Sequence, residues 1–440
     1  MTTITKCDVV IIGGGISGTA LLYLLARYTG LQQLCLVEKC QDIAVLNSHG
    51  RNNSQTLHCG DIETNYTLHK AIEVKAAADM VVRYIEKLPE RDQILHKYSK
   101  MVLGVGEQEC DLLRKRYLEF KPHFATIKLF EADDIARLEP AVMQGRTEAV
   151  VGVGVENEYT AVNFQALAKS FVEQSHRQTH KQIDVRLGTK VKRIEKENEL
   201  YRVFTNNGLI EAKFIVVSAG GHSLLFAQKM GYGMNYSCLP VAGSFYFTPR
   251  VLNGKVYTIQ NDVLPFAAVH GDPDVLVEGK TRFGPTALIL PMLERYNFKT
   301  VPEFFRVLRL DSKVLKVFWD LFKVADIRNY IFKNMLFEVP LIRRRLFLRD
   351  ARKIVPQMKL SDLSFASRVG GIRPVMIDKE QCKLHLGEAK INPGNGIIFN
   401  MTPSPGATSC LGNAKKDLLS IVDYLQCDYD ENGLNTDLGT

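Results

Sequence analysis

The sequence predicts an α/β fold in two interleaved domains, and three observations lead to this prediction. The chain has 440 residues, 46% of them hydrophobic, which is long for a single core. A strand–helix–strand pattern occupies residues 7–39, whereas residues 239–290 alternate short strands with turns. Residues 302–350 are mostly helical by their period. We therefore expect a parallel-sheet domain and a second, mainly antiparallel domain that carries a helical cap.

The N-terminal pattern predicts a nucleotide-binding unit. The apolar run 7–12 is typical of a buried parallel strand, a second strand follows at 34–39, and a helix lies between them. Three glycines between the first strand and the helix have the spacing G-x-G-x-x-G: Gly13, Gly15 and Gly18. They allow a tight turn and a close approach of the backbone to a pyrophosphate, which the helix N-terminus stabilises. Glu38 ends the second strand, where it can accept hydrogen bonds from ribose hydroxyls. The pattern predicts a Rossmann-type dinucleotide site.

The number of such sites favours FAD over NAD. The glycine pairs at 104–106 and 152–154 lack the third glycine, so the N-terminal motif has no second copy. A chain with one dinucleotide site and a need for its own redox centre fits a tightly held flavin. The sequence leaves open whether FAD is attached covalently.

Further cofactor contacts are expected from loops that follow predicted strands. A run ending at 218–220 finishes in glycine, and residues 402–409 form a Pro/Gly turn before an apolar helix, with Ser404 and Thr408 as possible N-caps. The positive end of that helix would face the N1–C2=O region of a flavin. Besides the glycine motif and Glu38, the predicted cofactor-binding positions are Lys39, Ser54, Gln55, Val191, Ala219, Gly220, Gly406, Ala407 and Thr408.

Two histidines are candidates for acid–base chemistry. His58 lies in a polar run that follows the nucleotide unit, and His270 precedes a glycine after an apolar strand. Asp272 and Asp274 could accompany His270 or serve only as turn residues. Spacing does not decide between the two histidines.

Two arginines are candidate carboxylate ligands, Arg373 first and Arg282 second. Each lies near one of these motifs, and a guanidinium binds a carboxylate with two parallel hydrogen bonds.

Cysteine usage and hydropathy exclude several other classes. The nine cysteines are scattered and include no CxxC pair, so we expect neither a disulfide framework nor a metal site. The apolar stretch 7–26 contains Asp8 and three consecutive glycines, unlike a signal peptide, and no run is long enough to cross a bilayer. We expect a cytoplasmic protein or one on the inner face of the cell membrane, with no nucleic-acid partner.

The positive charge is concentrated in one segment. Residues 301–353 contain thirteen Lys or Arg and six Asp or Glu, hence +7 of the net +8, together with the only tryptophan, Trp319. A basic, aromatic helical segment is typical of a membrane-docking surface. The alternative is a solvated cap over the substrate pocket.

Several strings of the chain together resemble a known family. These strings are NSQTLHCGDIETNY (53–66), CLPVAGSFYF (238–247), PFAAVHGDPD (265–274), TRFGPTAL (281–288), RNYIFKN (328–334) and FNMTPSPGATSCL (399–411). They resemble malate:quinone oxidoreductase, in particular its short bacterial form, over nearly the whole chain. The same skeleton also resembles L-2-hydroxyglutarate dehydrogenase, and both families belong to the D-amino-acid-oxidase-like FAD enzymes.

The resemblance implies FAD-dependent oxidation of (S)-malate to oxaloacetate, with quinone as the electron acceptor at the membrane. Hydride would leave malate C2 for flavin N5 while a histidine takes the hydroxyl proton. His58 and His270 match histidines of the family motifs, and Gln55 stands where the hydroxyglutarate enzymes have glycine, which favours malate. Two alternatives remain at this stage: a dehydrogenase of another 2-hydroxy acid, such as 2-hydroxyglutarate or lactate, and a flavin-fold binding protein without catalysis.

The expected domain organisation is discontinuous. The FAD-binding domain would comprise residues 1–82, 150–235 and 360–428, and the substrate domain residues 83–149 and 236–359. Residues 429–440, acidic and polar, would form a loose tail.

Overall fold

The structure is a computed structural model that describes residues 4–260, 268–385, 389–402 and 405–439. The strands of these residues are β1 (Ile4–Ile12), β2 (Gln33–Val37), β3 (Leu95–Val105), β4 (Lys128–Phe130), β5 (Val150–Val162), β6 (Gln182–Arg186), β7 (Val191–Glu197), β8 (Leu200–Thr205), β9 (Gly208–Val217), β10 (Tyr236–Ala242), β11 (Tyr246–Pro249), β12 (Lys255–Thr258), β13 (His270–Pro273), β14 (Lys280–Gly284), β15 (Leu288–Ile289), β16 (Ser364–Phe365), β17 (Ile372–Asp378), β18 (Lys383–His385), β19 (Ala389–Ile391) and β20 (Ile397–Met401).

The helices surround these strands and connect them. They are α1 (Ile16–Tyr28), α2 (Leu68–Glu86), α3 (Arg91–Ile94), α4 (Glu107–Phe120), α5 (Ala132–Leu138), α6 (Pro140–Met143), α7 (Phe164–His176), α8 (Gly221–Lys229), α9 (Val301–Leu308), α10 (Ser312–Lys323), α11 (Ala325–Leu336), α12 (Arg343–Ile354), α13 (Cys410–Leu425) and α14 (Glu431–Leu438).

The first sheet has a parallel core in the order β20-β9-β1-β2-β6, extended by β19 and by the β7–β8 hairpin. Helices α1, α7 and α13 cover one face with a large apolar cluster. Parallel strands end at the same edge of their sheet, so the loops that follow β1, β2, β9 and β20 meet there. The predicted Rossmann-type unit is confirmed, and this edge gathers its candidate residues.

Two further sheets form the rest of the fold. One has eight strands in the order β16-β11-β14-β13-β12-β3-β5-β4, and its pairs are antiparallel except for β12 with β3. The other is antiparallel, β15-β10-β17-β18, and shares an apolar cluster with the second face of the first sheet. The prediction of an antiparallel region over 239–290 is therefore confirmed for the described residues. The predicted division of the chain places β5 with the nucleotide domain, whereas its strand partners are β3 and β4.

The prediction of a loose tail at 429–440 is wrong for the residues that the structure describes there. Residues 431–438 form α14, in which Leu434 and Leu438 are buried. Asp437 accepts hydrogen bonds from the Tyr28 hydroxyl (3.0 Å) and the Lys87 ammonium (2.8 Å). Two well-placed leucines and one carboxylate are enough to fix a segment whose composition is otherwise that of a solvated terminus.

The basic segment 301–353 is helical, as predicted, and comprises α9 to α12. No helix in the described ranges combines the length with the apolar character that a membrane span requires.

Candidate active site

The turn between β1 and α1 has no room for side chains. Gly13 has φ +117°, and a Cβ atom there would lie 2.3 Å from the Ser218 carbonyl oxygen. A Cβ atom at Gly18 would lie 2.0 Å from the Gly13 carbonyl oxygen, which explains the close packing of helix on turn. Gly15 is the N-cap residue of α1 and no side chain caps it. The turn thus offers backbone N–H groups at a helix N-terminus, the arrangement that a pyrophosphate requires.

Glu38 lies against this turn, directly after β2, and its contact with a ribose stays a prediction. Its Oε2 atom accepts a hydrogen bond from Gly14 N at 2.7 Å, and its Oε1 atom accepts one from Cys40 N at 2.8 Å. Lys39 points elsewhere and forms an ion pair with Glu294. Val191 is buried at the start of β7, just after Thr189, whose N–H donates to the Glu38 carbonyl oxygen. Contacts of Lys39 and Val191 with a cofactor stay predictions.

The loops after β9 and β20 complete the same edge. Ala219 N donates to Ser223 Oγ at 2.8 Å, and Gly220 adopts φ +60°, a conformation that glycine accepts readily. After β20, Thr402 Oγ1 lies 3.3 Å from Ser17 Oγ in α1, so this loop contacts the glycine turn. The residues of this edge therefore fit an extended dinucleotide such as FAD.

The turn 405–409 leads into α13 differently from the prediction. Ser404 lies outside the described residues. Thr408 does not cap the helix, because Ser409 occupies the N-cap position without a side-chain cap. Thr408 Oγ1 instead accepts a hydrogen bond from His58 N at 3.1 Å. Gly406 and Ala407 lie in the turn itself, whose Pro405 carbonyl accepts from Thr408 N. Thr408 thus connects the cofactor edge with the candidate histidine.

Gln55 holds the loop in front of His58. It is buried with φ +52°, and its Nε2 atom donates to the Gly50 carbonyl (3.1 Å) and to Asp274 Oδ1 (3.2 Å). Its Oε1 atom accepts from Val275 N at 3.0 Å. These bonds fasten the loop to the segment after β13 and show that Asp274 serves the turn rather than a histidine. Direct cofactor contacts of Gln55 and its neighbour Ser54 stay predictions.

His58 forms the first of two histidine–carboxylate pairs. Its Nδ1 atom lies 2.6 Å from Glu63 Oε1, and its side chain is 16% exposed. Burial would raise the pKa of Glu63, but His58 outweighs burial and holds that pKa at about 2. The Nε2 atom of His58 has no hydrogen-bond partner among the described residues. With Nδ1 directed at a carboxylate, Nε2 is the atom available to a substrate.

His270 forms the second pair within the antiparallel sheet. Its Nδ1 atom is 2.5 Å from Asp272 Oδ2, an ion-pair distance, although the angles fall outside hydrogen-bond geometry. Burial lowers the pKa of His270, and Asp272 opposes that shift. Burial would raise the pKa of Asp272, but His270 and Lys255 outweigh it and the pKa falls to about 2. The described part of 265–274 begins at residue 268, so the start of this motif lies outside it.

Arg373 lies on β17 with its guanidinium free of carboxylates. No ion pair joins it to any Asp or Glu of the described ranges, although it is mostly buried. Burial lowers its pKa, and the phenols of Tyr330, Tyr66 and Tyr257 act on it electrostatically. Asn47 Oδ1 accepts a hydrogen bond from Ile372 N at 3.0 Å, which ties the strand to the loop before His58. A buried guanidinium that has no carboxylate partner within the described ranges is suited to bind the carboxylate of a substrate.

Arg282 is placed differently. Its side chain is fully buried, Nη1 donates to the Gly50 carbonyl at 3.0 Å, and Asp274 Oδ2 lies 3.5 Å away. The guanidinium also stacks over Phe245 at 4.5 Å. These contacts place Arg282 beneath the loop that carries His58, in a supporting position.

Sequence reasoning missed several buried polar residues of this region. Lys100 and Lys255 are both fully buried, Glu63 holds His58, and Tyr257 stacks on His270 with ring centroids 4.3 Å apart. The one available signal was that each lysine directly precedes an apolar run in a strand, Met101 to Leu103 after Lys100 and Val256-Tyr257 after Lys255, where a buried charge needs a partner.

The chain is similar over nearly its whole length to proteins of one family. The model of the family "Malate:quinone oxidoreductase (Mqo)" matches residues 5–412. The chain is 50% identical to a probable malate:quinone oxidoreductase of Campylobacter jejuni, over 98% of both chains. It is 46% identical to the malate:quinone oxidoreductase of Helicobacter pylori strain 26695, over 95% of this chain and 94% of that one.

Solved structures share the fold at low identity. The L-alpha-glycerophosphate oxidase of Mycoplasma pneumoniae, reduced with dithionite and with FAD bound, superposes with a TM-score of 0.65 at 19% identity over 97% of both chains. Glycine oxidase of Geobacillus kaustophilus gives 0.66 at 15% identity over 95% of both chains. The resemblance predicted from the sequence motifs is confirmed by the family model and the curated relatives: this chain belongs to the malate:quinone oxidoreductase family.

Proposed function

We propose that this chain oxidises (S)-malate to oxaloacetate with FAD as its redox cofactor and passes the electrons to a membrane quinone. The observation that carries the proposal is that Thr408 of the dinucleotide edge contacts His58, while Thr56 of the same loop reaches His270 through the stacked ring of Tyr257. When bound, FAD supplies the acceptor for the hydride that leaves malate C2.

The chain's own residues bind the substrate and manage the proton. Arg373 offers a buried guanidinium to a malate carboxylate, and its two parallel donors fix the orientation of the substrate. His58 and His270 each direct Nδ1 at a carboxylate and leave Nε2 to accept the proton of the malate hydroxyl. Arg282 supports the loop between them.

Anaerobic bleaching of the flavin tests the reaction. We expect (S)-malate to bleach the yellow holoenzyme, and L-2-hydroxyglutarate and L-lactate to do so at least tenfold more slowly. Faster bleaching by either of the other acids would move the proposal to that substrate. A purified protein that is colourless after saturation with FAD would contradict the whole assignment and support the non-catalytic alternative.

We further propose that α10 and α11 dock on the inner face of the cell membrane, where the quinone dissolves. Trp319 is 63% exposed, and large apolar side chains around it are also exposed. They are Leu315, Phe322, Val324, Phe332, Met335 and Leu336. Lys313 and Lys316 are exposed on the same helix, α10. Apolar rings between lysines suit an anionic leaflet, to which each nearby lysine contributes about 1 kcal/mol.

The other face of these helices belongs to the protein. Tyr330 of α11 acts on Arg373, and Asn334 Oδ1 accepts a hydrogen bond from Ala287 N at 2.7 Å. The segment 301–353 therefore supports both expectations, a cap over the pocket and a surface for lipid. The segment also contains three consecutive arginines: Arg343 stacks on Phe365 at 3.7 Å and Arg344 donates to the Leu360 carbonyl, while Arg344 and Arg345 are exposed.

Co-sedimentation with anionic vesicles tests the docking surface. We expect Trp319→Ser combined with Phe322→Ser to reduce binding at least tenfold, and high salt to weaken the binding of the parent. Leu112→Ser combined with Leu118→Ser is the matched control, because these exposed leucines lie on α4, outside the segment. Equal loss in both double variants, or no binding by the parent, would rule out the α10–α11 surface.

A further inference from the structure

Two lysines lie side by side beneath the two histidine–carboxylate pairs. Lys255 of β12 and Lys100 of β3 are register partners on neighbouring parallel strands, and both are fully buried. A buried ammonium is costly unless carboxylates and hydrogen bonds compensate it. Each lysine therefore needs a specific set of partners, and the two sets differ.

Lys100 is bound to the loop that carries His58. Its Nζ atom donates to Asp61 Oδ1 at 2.8 Å and contacts the Leu57 carbonyl at 3.4 Å. Burial alone would lower the pKa of Lys100, but Asp61 outweighs it and raises that pKa. Asp61 is thus the hydrogen-bonded counter-ion of Lys100, and Glu63 acts on the same ammonium without a hydrogen bond to it.

Lys255 is bound to the carboxylate of the other pair. Its Nζ atom lies 3.2 Å from Asp272 Oδ1, 3.1 Å from Thr56 Oγ1 and 3.4 Å from the Ser54 carbonyl. Thr56 Oγ1 is in turn 2.6 Å from the hydroxyl of Tyr257, whose ring stacks on His270. Lys255 therefore connects Asp272, the loop before His58 and the aromatic ring that holds His270 in place.

The charges around His270 can be counted strand by strand. Asp272 lies on its own strand, β13, Lys255 on β12, and Arg282 directly opposite Asp272 on β14. Burial has the largest effect and lowers the pKa of His270; Asp272 raises that pKa, and Lys255 and Arg282 lower it further. Removing Lys255 would leave Asp272 with Arg282, which already contacts Asp274 and Gly50.

We propose that Lys255 is a positioning residue that balances Asp272 and so keeps His270 uncharged, with Nε2 ready to accept a hydrogen bond from the malate hydroxyl. The proposal rests on the proposed function for the identity of the substrate. The charge state of His270 itself is independent of that identity. The two pairs therefore differ, since only the carboxylate of the His270 pair accepts a hydrogen bond from a lysine.

The test measures the protonation of His270 in the FAD-loaded protein without malate. Histidine labelled with ¹⁵N is titrated by NMR, and His270→Asn identifies the signal. We expect Lys255→Met to raise the midpoint of His270 by about one pH unit, a tenfold gain in proton affinity. Lys255→Arg, which keeps the charge, should restore most of the parent midpoint.

Two further variants keep the proposal falsifiable. Lys100→Met removes an equally buried ammonium next to Lys255 and should move the His270 midpoint less than half as far. Lys255→Met combined with Asp272→Asn removes both charges and should return the midpoint towards the parent value, even if the single variant folds poorly. A midpoint that stays within about 0.3 pH unit in folded Lys255→Met, or that moves equally in Lys100→Met, would overturn the proposal.

Activity gives a separate readout. The acid limb of the pH profile of kcat/KM for malate should move to higher pH in Lys255→Met, which a purely structural loss would not produce. If the NMR midpoint shifts but malate fails to bleach the flavin, the proposed function is refuted. The proposal that Lys255 controls the charge of His270 would still hold.

Discussion

The two histidine–carboxylate pairs of this protein have similar distances from Nδ1 to the carboxylate oxygen, 2.6 Å and 2.5 Å, but different surroundings. His58 and Glu63 lie on one loop, only five residues apart, and the imidazole is partly exposed. His270 and Asp272 lie on a buried strand between two other strands, with Lys255 on the carboxylate. The loop pair is held through contacts of its loop with Thr408 and Lys100, whereas the strand pair is held by the neighbouring strands β12 and β14. Both pairs are local in sequence, and they differ in whether a loop or the pairing of distant strands surrounds them.

Replacing the histidines gives the largest expected effect. Changing the histidine that accepts the hydroxyl proton to Asn should slow anaerobic reduction of the flavin by malate at least about 100-fold. The reason is that positioned base catalysis contributes roughly 10²–10⁴-fold. Replacing the other histidine should slow the reduction less, since that histidine only accepts or donates a hydrogen bond. Stopped-flow reduction of His58→Asn and His270→Asn, both with FAD bound, measures the difference. Parent rates in both variants would remove both pairs from the chemistry.

The arginines separate a substrate ligand from a supporting residue. Arg373→Lys should raise KM for malate about tenfold or more, because an ammonium cannot reproduce the paired donors of a guanidinium. Arg282→Lys should instead lower the thermal stability of the holoenzyme, since its contacts are with Gly50, Asp274 and Phe245. Steady-state kinetics and a melting curve on each variant test this division. Unchanged kinetics in Arg373→Lys would exclude it as the carboxylate ligand.

Local sequence patterns predicted the glycine turn and both histidines, but not the carboxylate of the first pair or the lysine that contacts the second. The glycine turn, Glu38 and His58 follow one another within 46 residues, so the pattern of a strand, a helix and their loops predicts their positions. The pairing of Lys100 with Lys255 joins residues 155 positions apart in the chain and depends on a parallel register between β3 and β12. No local pattern contains that register, and a lysine in a strand is normally assigned to the solvent face.

Two regions differ from the prediction because of contacts between residues that are distant in sequence. Thr408 has the residue type and position of an N-cap, yet its hydroxyl accepts from His58 N because two loops distant in sequence meet there. The tail at 429–440 has the composition of a loose terminus, and α14 forms because α2 and α1 supply a surface for Leu434 and partners for Asp437. Tertiary contacts decide such positions.

The smallest expected effect concerns acid stability, and it compares the two carboxylates directly. The pKa values of Glu63 and Asp272 are both about 2 in the folded protein, below the ordinary values of 4.5 and 3.8. A depressed carboxylate pKa stabilises the fold above the ordinary pKa, and this contribution is lost as the pH falls towards 2. For Asp272 this contribution amounts to about 2 kcal/mol by the linkage relation.

Urea titrations at several pH values test this. The difference in the free energy of unfolding between the parent and Asp272→Asn should shrink as the pH falls from 4 to 2.5, and the difference between the parent and Glu63→Gln should shrink from about pH 4.5. A parent-to-variant difference that is independent of pH would show that the carboxylate in question is not held in its charged form by its pair.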